Sequence, residues 1–426
     1  MKMTKKVQII LIMTLLVFLI VQAQILYAAE DKVKLHFMSW YFGEEPANTA
    51  LRTLFEKFEE IYPNIEIVPE TVTAAERFTK FVFQMEGGKG PDIYMETSGN
   101  IRAVVHQGYV LSLEPFINSE NENIRDRFGP AIIESFSGAD GHMYFMPYAI
   151  GPVAMIYNTR LWEEAGLDPD SPPTNWDQLL DYLKKLTVNG RYGIALFGKG
   201  DGSSVWRNSY WWMTNGADVL NKSGEVTVNT PEFVEGMKYW SSLYHEYKVA
   251  PPSVLQNSFS QNNAIFASEV AAIVQSGIWQ FNVTTEMNPS LEGKIRAALM
   301  PSEKVKVAAG GGDDGLCITT ASKHPKEAWQ LLKYLSSEEA GRILWDIQAK
   351  FPANLNALDT PKYRSDRLVQ MWSGILPYTK APVTHYRYPE ISNVLGVMQQ
   401  EILLKSKTVE KAVADAHAKI KEIVER

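Results

Sequence analysis

The sequence predicts an α/β protein of two lobes, each a mostly parallel sheet flanked by helices. Three observations carry this. Between Val33 and Met95, short apolar runs and helical periods alternate strand, helix, strand, helix, strand, the rhythm of a parallel sheet. The chain has 426 residues, and single cores stop growing near roughly 250–300 residues. The stretch from Gly141 to Trp162 is broken by Pro147, Gly151 and Pro152, yet no long linker occurs anywhere. That stretch reads either as a strand crossing between lobes, with Tyr148 facing the space between them, or as a hairpin within one domain. Several such strands, in place of one linker, would make the lobes discontinuous in sequence.

The elements follow in order. Lys2, Lys5 and Lys6 precede an apolar run, Ile9 to Val21, and small residues Ala28 and Ala29 precede Glu30 and Asp31. That is the pattern of a cleavable secretory signal over residues 1–28, its apolar run short for a bilayer span. No cysteine near the cleavage region can accept a lipid, so a free, periplasmic protein is expected ahead of a secreted or cell-surface one. Val33–Met38 reads as a strand. Leu51, Leu54, Phe55 and Phe58 mark a helix over 48–61, and Ile65–Val68 is the second strand. Phe78, Phe81, Val82 and Met85 mark another helix before the strand Asp92–Met95. A helix over 100–107 and short strands at Tyr109–Leu113, Met143–Phe145 and Val153–Tyr157 come next.

Thr174 to Asp177 resembles a capping box that opens a helix carrying Trp176, Leu179, Leu180 and Leu183. Tyr192–Phe197 reads as a strand. The segment GKGDGSSVWRNSYWWMTNGAD crowds Trp206, Tyr210, Trp211 and Trp212 among small polar residues without a readable element. Thr230-Pro231 starts a helix with proline at its first position, and Ala271–Gln275 is a strand ending at Trp279. GGGDDG, residues 310–315, reads as a loop before the strand Leu316–Thr320. Pro325 opens a helix, Ser336 to Glu339 cap the next, and helices over 389–404 and 408–425 finish the chain.

Composition narrows the function. Without the three signal lysines, the formal net charge moves from −7 to −10, which argues against nucleic-acid binding. The single cysteine, Cys317, excludes an intramolecular disulfide and reads as a buried small hydrophobe. The seven histidines are scattered without metal-ligand spacing, so no metal site and no cofactor are expected. Eleven tryptophans are more than a core needs, and their flat faces suit sugar rings.

Segments from FEKFEEIYPNIEI through GKGPDIY, MYFMPYAIGPVAMIYNTRLWEEAGL, PPTNWDQLLDYLKKLT, EVAAIVQSGIWQF and GGGDDGLCITTASKHPKEAWQLLKYLSSEEA to TVEKAVADAHAKIKEIV run in a characteristic order. In these the chain resembles the extracellular solute-binding proteins of carbohydrate ABC importers, the maltose-binding-protein-like group. The resemblance implies the type II periplasmic-binding-protein fold, whose hinge-linked lobes close on a sugar. It divides the chain into 29–149 with 308–350 as one lobe and 150–307 with 351–426 as the other. It also implies a monomer that delivers a mono- or oligosaccharide to membrane permease subunits.

Ligand contacts carry over to Trp40 and Tyr41 after the first strand, and to Glu96 and Thr97 at the end of the third, where open α/β sheets bind ligands. They carry over to Tyr148 in the crossover, to Trp206 with Trp211 or Trp212 as substitutes, and most firmly to Trp279. Asp313 and Asp314, which as turn-formers have an equally good structural reading, and the late residues Tyr386 and Arg387 complete the set. Aromatic faces stack on pyranose C–H faces, and carboxylates accept hydroxyl hydrogen bonds. Trp176, Trp240, Trp329 and Trp345 lie at helical spacing and are expected in the core. The rival class is an exported glycoside hydrolase, which needs two carboxylates flanking one bond. Glu96 with Asp313 or Asp314 is its only candidate pair, and no nucleophile-elbow or zinc motif accompanies it. A third reading keeps the fold and binds a polyol or polyamine.

Overall fold

The computed structural model describes residues 32–426 except 75, 222, 311 and 381–384. The expected signal segment, residues 1–28, lies outside the described residues. Among those described, no helix is long and apolar enough to cross a membrane.

Two sheets organise the chain. The first has six strands in the order β11-β4-β10-β3-β1-β2. Its members are β1 (Val33–Ser39), β2 (Ile65–Thr71), β3 (Ile93–Thr97), β4 (Met146–Ile150), β10 (Gly312–Ile318) and β11 (Phe351–Pro352). The second has four, in the order β6-β7-β5-β8: β5 (Ala154–Asn158), β6 (Tyr192–Ala195), β7 (Ala271–Ser276) and β8 (Ile295–Ala298). β9 (Ala308–Ala309) and β12 (Thr379–Lys380) form a short parallel ladder. β1 pairs in parallel with β2 and β3, as the local alternation of helix and strand requires.

The sheets are nevertheless mixed, not mostly parallel. β10 runs antiparallel to β3 and β4, and β5 antiparallel to β7 and β8. These antiparallel partners come from distant sequence, which local periodicity does not report. The chain passes between the sheets three times: from β4 to β5 through Gly151, Pro152 and Val153, from β8 back to β10, and after β11 toward the C-terminal helices. The stretch Gly141–Trp162 is therefore a crossing and not a hairpin.

Helices cover both sheets by ordinary amphipathic logic. The helix Ala47–Ile61 buries Ala47, Ala50, Leu51, Leu54, Phe55 and Phe58. One apolar core includes Leu35, Phe37, Ile93, Leu316, Leu331 and Trp345 around the first sheet. The other joins Met155, Trp162, Leu183, Trp240, Ile391 and Val413 around the second. Trp176, Trp240, Trp329 and Trp345 are all buried, as is Cys317.

Several local expectations need correction. The strand placed at Met143–Phe145 begins instead at Met146 and contains Pro147. Proline is tolerated in this inner strand because the ladder is irregular beside it. The partners Ala149↔Asp314 and Pro147↔Gly315 skip Tyr148, while Ile150↔Gly312 and Ala149↔Asp314 skip Asp313. The expected strand Tyr109–Leu113 is reduced to one bridge, Val110↔Thr319. GGGDDG is not a loop from end to end, since β10 already begins at Gly312. The cap before Trp176 is Asn175, whose side chain accepts from the Gln178 amide at 2.9 Å, and not Thr174. The unreadable aromatic segment is a helix, Gly202–Met213, capped by Asp201, which accepts from the Ser204 amide at 2.8 Å. Ser204, Val205, Asn208, Trp211 and Trp212 are all buried, so it shows no single apolar stripe.

Candidate functional site

The strand ends and crossings bring most of the expected residues together. Tyr41, just after β1, donates its hydroxyl to Asp314 of β10 at 2.5 Å. Lys350, immediately before β11, donates to the Tyr41 hydroxyl at 2.6 Å, pairs with Asp313 at 2.9 Å and contacts Asp314 as well. Its side chain is 8 % exposed. The helix Glu338–Gln348 ends with Ala349 in a left-handed conformation, φ 49°, and Lys350 follows that turn into the first sheet.

Charge and burial oppose each other here. Burial pushes the Asp313 carboxyl up to about 6, helped by the neighbouring Asp314 charge, and Lys350 only partly offsets this. Burial alone would lower the Lys350 ammonium, but Asp313 and Asp314 outweigh it and hold it well above the usual lysine range. Burial and then the Asp314 charge keep the Tyr41 phenol protonated.

Trp279 lies against this cluster. Its ring sits 5.5 Å from the Lys350 ammonium and 6.3 Å from the Trp206 ring, the two indoles inclined by 24°. The fit is close. A Cβ on Gly277 would fall 2.1 Å from the Trp279 ring, and one on Gly151 would meet Trp279 at 2.5 Å and Asp313 at 2.6 Å. Gly151, the first residue of the crossing, is thus held small by the indole and the carboxylate together. Tyr148 stacks edgewise on Tyr41 at 6.4 Å, and its buried hydroxyl has no partner among the described residues. Gln275 and Ser276 at the end of β7, and Gln280 beside Trp279, also carry buried polar atoms without a partner among the described residues.

A second cluster adjoins through Trp40, whose ring meets Tyr41 at 5.4 Å. The Arg77 guanidinium lies 4.8 Å over Trp40 and donates to Glu96 at 2.7 Å and to the Thr97 hydroxyl at 3.0 Å. The Glu96 carboxylate also accepts from the Tyr94 hydroxyl at 2.5 Å and the Thr97 amide at 2.7 Å. Both of its oxygens are therefore engaged within the protein.

Four expected residues stand apart. Trp211 is fully buried, packed between Tyr210 and Tyr239, and Trp212 stacks on Phe233 in the same core. At 100° per residue, five and six positions along the helix carry them to other faces than Trp206. Tyr386 stacks on His106 at 3.9 Å and lines a cavity of about 310 Å³ with Arg102 and Asp140. Arg387 points to Glu390 at 3.7 Å. The sequence reading missed Arg77, Arg207 and Lys350, which belong to no motif. The signal available for Lys350 was a lone cation abutting the apolar Phe351-Pro352. Among the described residues no group of three or more acidic, histidine or cysteine side chains is placed to hold a metal ion.

Comparison with known proteins agrees with this architecture. An ABC-transporter solute-binding protein from Thermotoga lettingae, solved with α-D-tagatose, superposes with a TM-score of 0.83 at 23% identity, over 92% of this chain and 100% of that one. The arabinooligosaccharide-binding protein of Halalkalibacterium halodurans is 26% identical over 325 residues, 72% of this chain and 69% of its own. The maltotriose-binding protein of Pyrococcus abyssi is 21% identical over 395 residues, 85% of this chain and 81% of its own. Residues 43–342 match the model of one family throughout. The chain belongs to the bacterial extracellular solute-binding proteins.

Proposed function

We propose that the protein captures a carbohydrate reversibly between two lobes and presents it to the permease of an ABC-type importer. The observation that carries this is the indole pair Trp206 and Trp279, set beside the buried Asp313, Asp314, Lys350 and Tyr41 where the chain crosses between its sheets. An apolar ring face with a few placed polar groups is what a pyranose needs. Relatives that bind an arabinooligosaccharide and maltotriose support the same cargo class. The lobes are residues 29–149 with 308–350, and 150–307 with 351–426. Trp40, Tyr41, Tyr148, Trp206, Trp279, Asp313 and Asp314 contact the sugar, and Thr97 sits at the edge of that surface. The mature protein is an exported monomer, freed of residues 1–28, in the periplasm.

No hydrolysis is proposed. The candidate hydrolase carboxylates are all engaged within the protein: Glu96 by Arg77, Tyr94 and Thr97, Asp314 by Tyr41 and Lys350, and Asp313 by Lys350. A thermal-shift screen of residues 29–426, refolded free of ligand, tests the proposal. A ligand at 100 times its dissociation constant adds about 2.7 kcal/mol to the folded state. One class of saccharide should raise the melting temperature without being turned over, and Trp279→Ala should weaken its binding more than tenfold. Turnover of the bound oligosaccharide, or wild-type affinity in Trp279→Ala, would overturn the proposal.

A further inference from the structure

Among the described residues, Arg207 is the one buried cation of the site that has no carboxylate within 4.0 Å. Arg77 is matched by Glu96 and Lys350 by Asp313 and Asp314. Arg207 is 5 % exposed, yet among the described residues no acidic oxygen lies within 4.0 Å of it. Its guanidinium sits instead among four aromatic rings: Phe259 at 4.5 Å, Phe197 at 5.1 Å, Trp206 at 5.2 Å and Trp279 at 6.0 Å. It donates from Nη1 to the Ser203 carbonyl at 3.2 Å and to the Ser203 hydroxyl at 2.5 Å, while Nε is buried with no partner among the described residues.

The acids whose charge reaches Arg207 are occupied elsewhere. Asp313 is held by Lys350, and Asp201 caps the helix that carries Arg207. Ring faces attract a cation but leave its charge and its in-plane donors unmatched. A buried, unpaired charge is unfavourable. Burial lowers the guanidinium to about 10, which still leaves it charged at neutral pH. A neutral sugar hydroxyl can accept from Nε but cannot neutralise the group. A carboxylate can do both, and its planar pair of oxygens matches guanidinium geometry.

We propose that the saccharide carries a carboxylate, as a uronic acid does, and that Arg207 receives it. The inference rests on the sugar-binding reading and adds the charge of the ligand. A uronic acid stacked on Trp206 or Trp279 presents its C6 carboxylate at the rim of the ring, beside the same cation. The selection is electrostatic: Arg207 gains a counter-ion only when the acidic ligand is bound.

Isothermal titration of ligand-free wild-type protein at neutral pH and low salt provides the test. The probes are glucuronate and galacturonate mono- to trisaccharides, their methyl esters, and the corresponding neutral sugars. One acid should bind at least tenfold more tightly than its ester and its neutral counterpart, and that preference should weaken as salt rises. In Arg207→Gln, checked for cooperative melting, the acid-over-ester ratio should fall below threefold. Esters or neutral sugars binding as tightly as the acids would overturn the inference while leaving the sugar-binding reading intact. An undiminished ratio in Arg207→Gln would overturn the assignment to Arg207. No binding by any saccharide, charged or neutral, would overturn both readings. The ester comparison needs no variant, so it holds even if Arg207→Gln fails to fold.

Discussion

Lys350→Met removes one charge and keeps the aliphatic stem, so it isolates the electrostatics of the crossing. In the native protein the ammonium lies 2.9 Å from Asp313, touches Asp314 and donates to Tyr41 at 2.6 Å. At an effective dielectric near 20, a unit pair at that separation attracts by roughly 6 kcal/mol. Burying the ammonium offsets part of this. Deleting one partner, however, leaves two adjacent carboxylates facing each other without a cation, and broken buried pairs lose about 3–5 kcal/mol. That range is the loss expected at pH 7.5.

The loss should also depend on pH, with a definite sign. The Asp313 carboxyl is already raised to about 6 in the folded state. Between the ordinary carboxylate range and that value the folded protein binds more protons than the unfolded chain, so this group's contribution to stability falls as pH rises through about 4 to 6. Without Lys350 the carboxyl is pushed up further. Protonation at pH 5 then relieves the repulsion, and the variant should recover at least about 1 kcal/mol there relative to its loss at pH 7.5. Denaturant unfolding followed by tryptophan fluorescence, on ligand-free wild type and variant at both pH values, reads this directly. A variant as stable as wild type at pH 7.5, or an equal loss at both pH values, would refute the argument.

Other substitutions separate binding from folding. Tyr148→Phe deletes a buried hydroxyl with no partner among the described residues, so ligand-free stability should hold or rise by up to about 1 kcal/mol. Sugar affinity should nevertheless fall about five- to tenfold by calorimetry, and unchanged affinity would remove Tyr148 from the ligand surface. Gly151→Ala brings a methyl to 2.5 Å from Trp279 and 2.6 Å from Asp313. It should weaken binding at least tenfold while shifting unfolding by about 1–3 kcal/mol, and wild-type affinity would contradict the close fit. Gly396→Ala places a methyl 1.9 Å from the Gly200 carbonyl oxygen, a backbone atom that cannot rotate away. It should lower stability by about 3 kcal/mol or reduce soluble yield sharply, and wild-type melting would refute the contact.

The parts legible in the sequence were those whose signal is local. The β1–β2–β3 alternation is written in periods of two and 3.6, and the helix Pro231–His245 announces itself with Thr230 and Pro231. Trp279, Tyr41, Asp313 and Asp314 were singled out by the resemblance, at strand ends and in a conspicuous glycine cluster, and the structure brings them together around Lys350. The helix Gly202–Met213 was not, because it is buried on several sides and begins with Gly202, Ser203 and Ser204, poor helix formers that matter little under an Asp201 cap. That omission is also why Trp211 looked interchangeable with Trp206. Arg77, Arg207 and Lys350 were missed for another reason. A lone basic residue reads as solvated surface, and only the register of distant strands shows that Lys350 lands between Asp313, Asp314 and Tyr41.

The same register argument explains why the polar cluster stands at the crossing. Tyr148 and Asp313 are the two residues that the β4–β10 ladder skips, one on each strand. A skipped residue leaves the regular alternation and can aim its side chain where a regular strand would not. Tyr148 thereby meets Tyr41, and Asp313 meets Lys350 and the space beside Gly151. Gly151 opens the passage from β4 to β5, and Trp279 follows β7, the strand that pairs with β5. Any rotation of one sheet against the other must therefore change the contacts of Gly151, Trp279 and Asp313 directly, without a relay through the cores. A ligand seated on Trp279, as proposed above, would act on the crossing itself, and two lobes closing on a cargo would need such a short mechanical path.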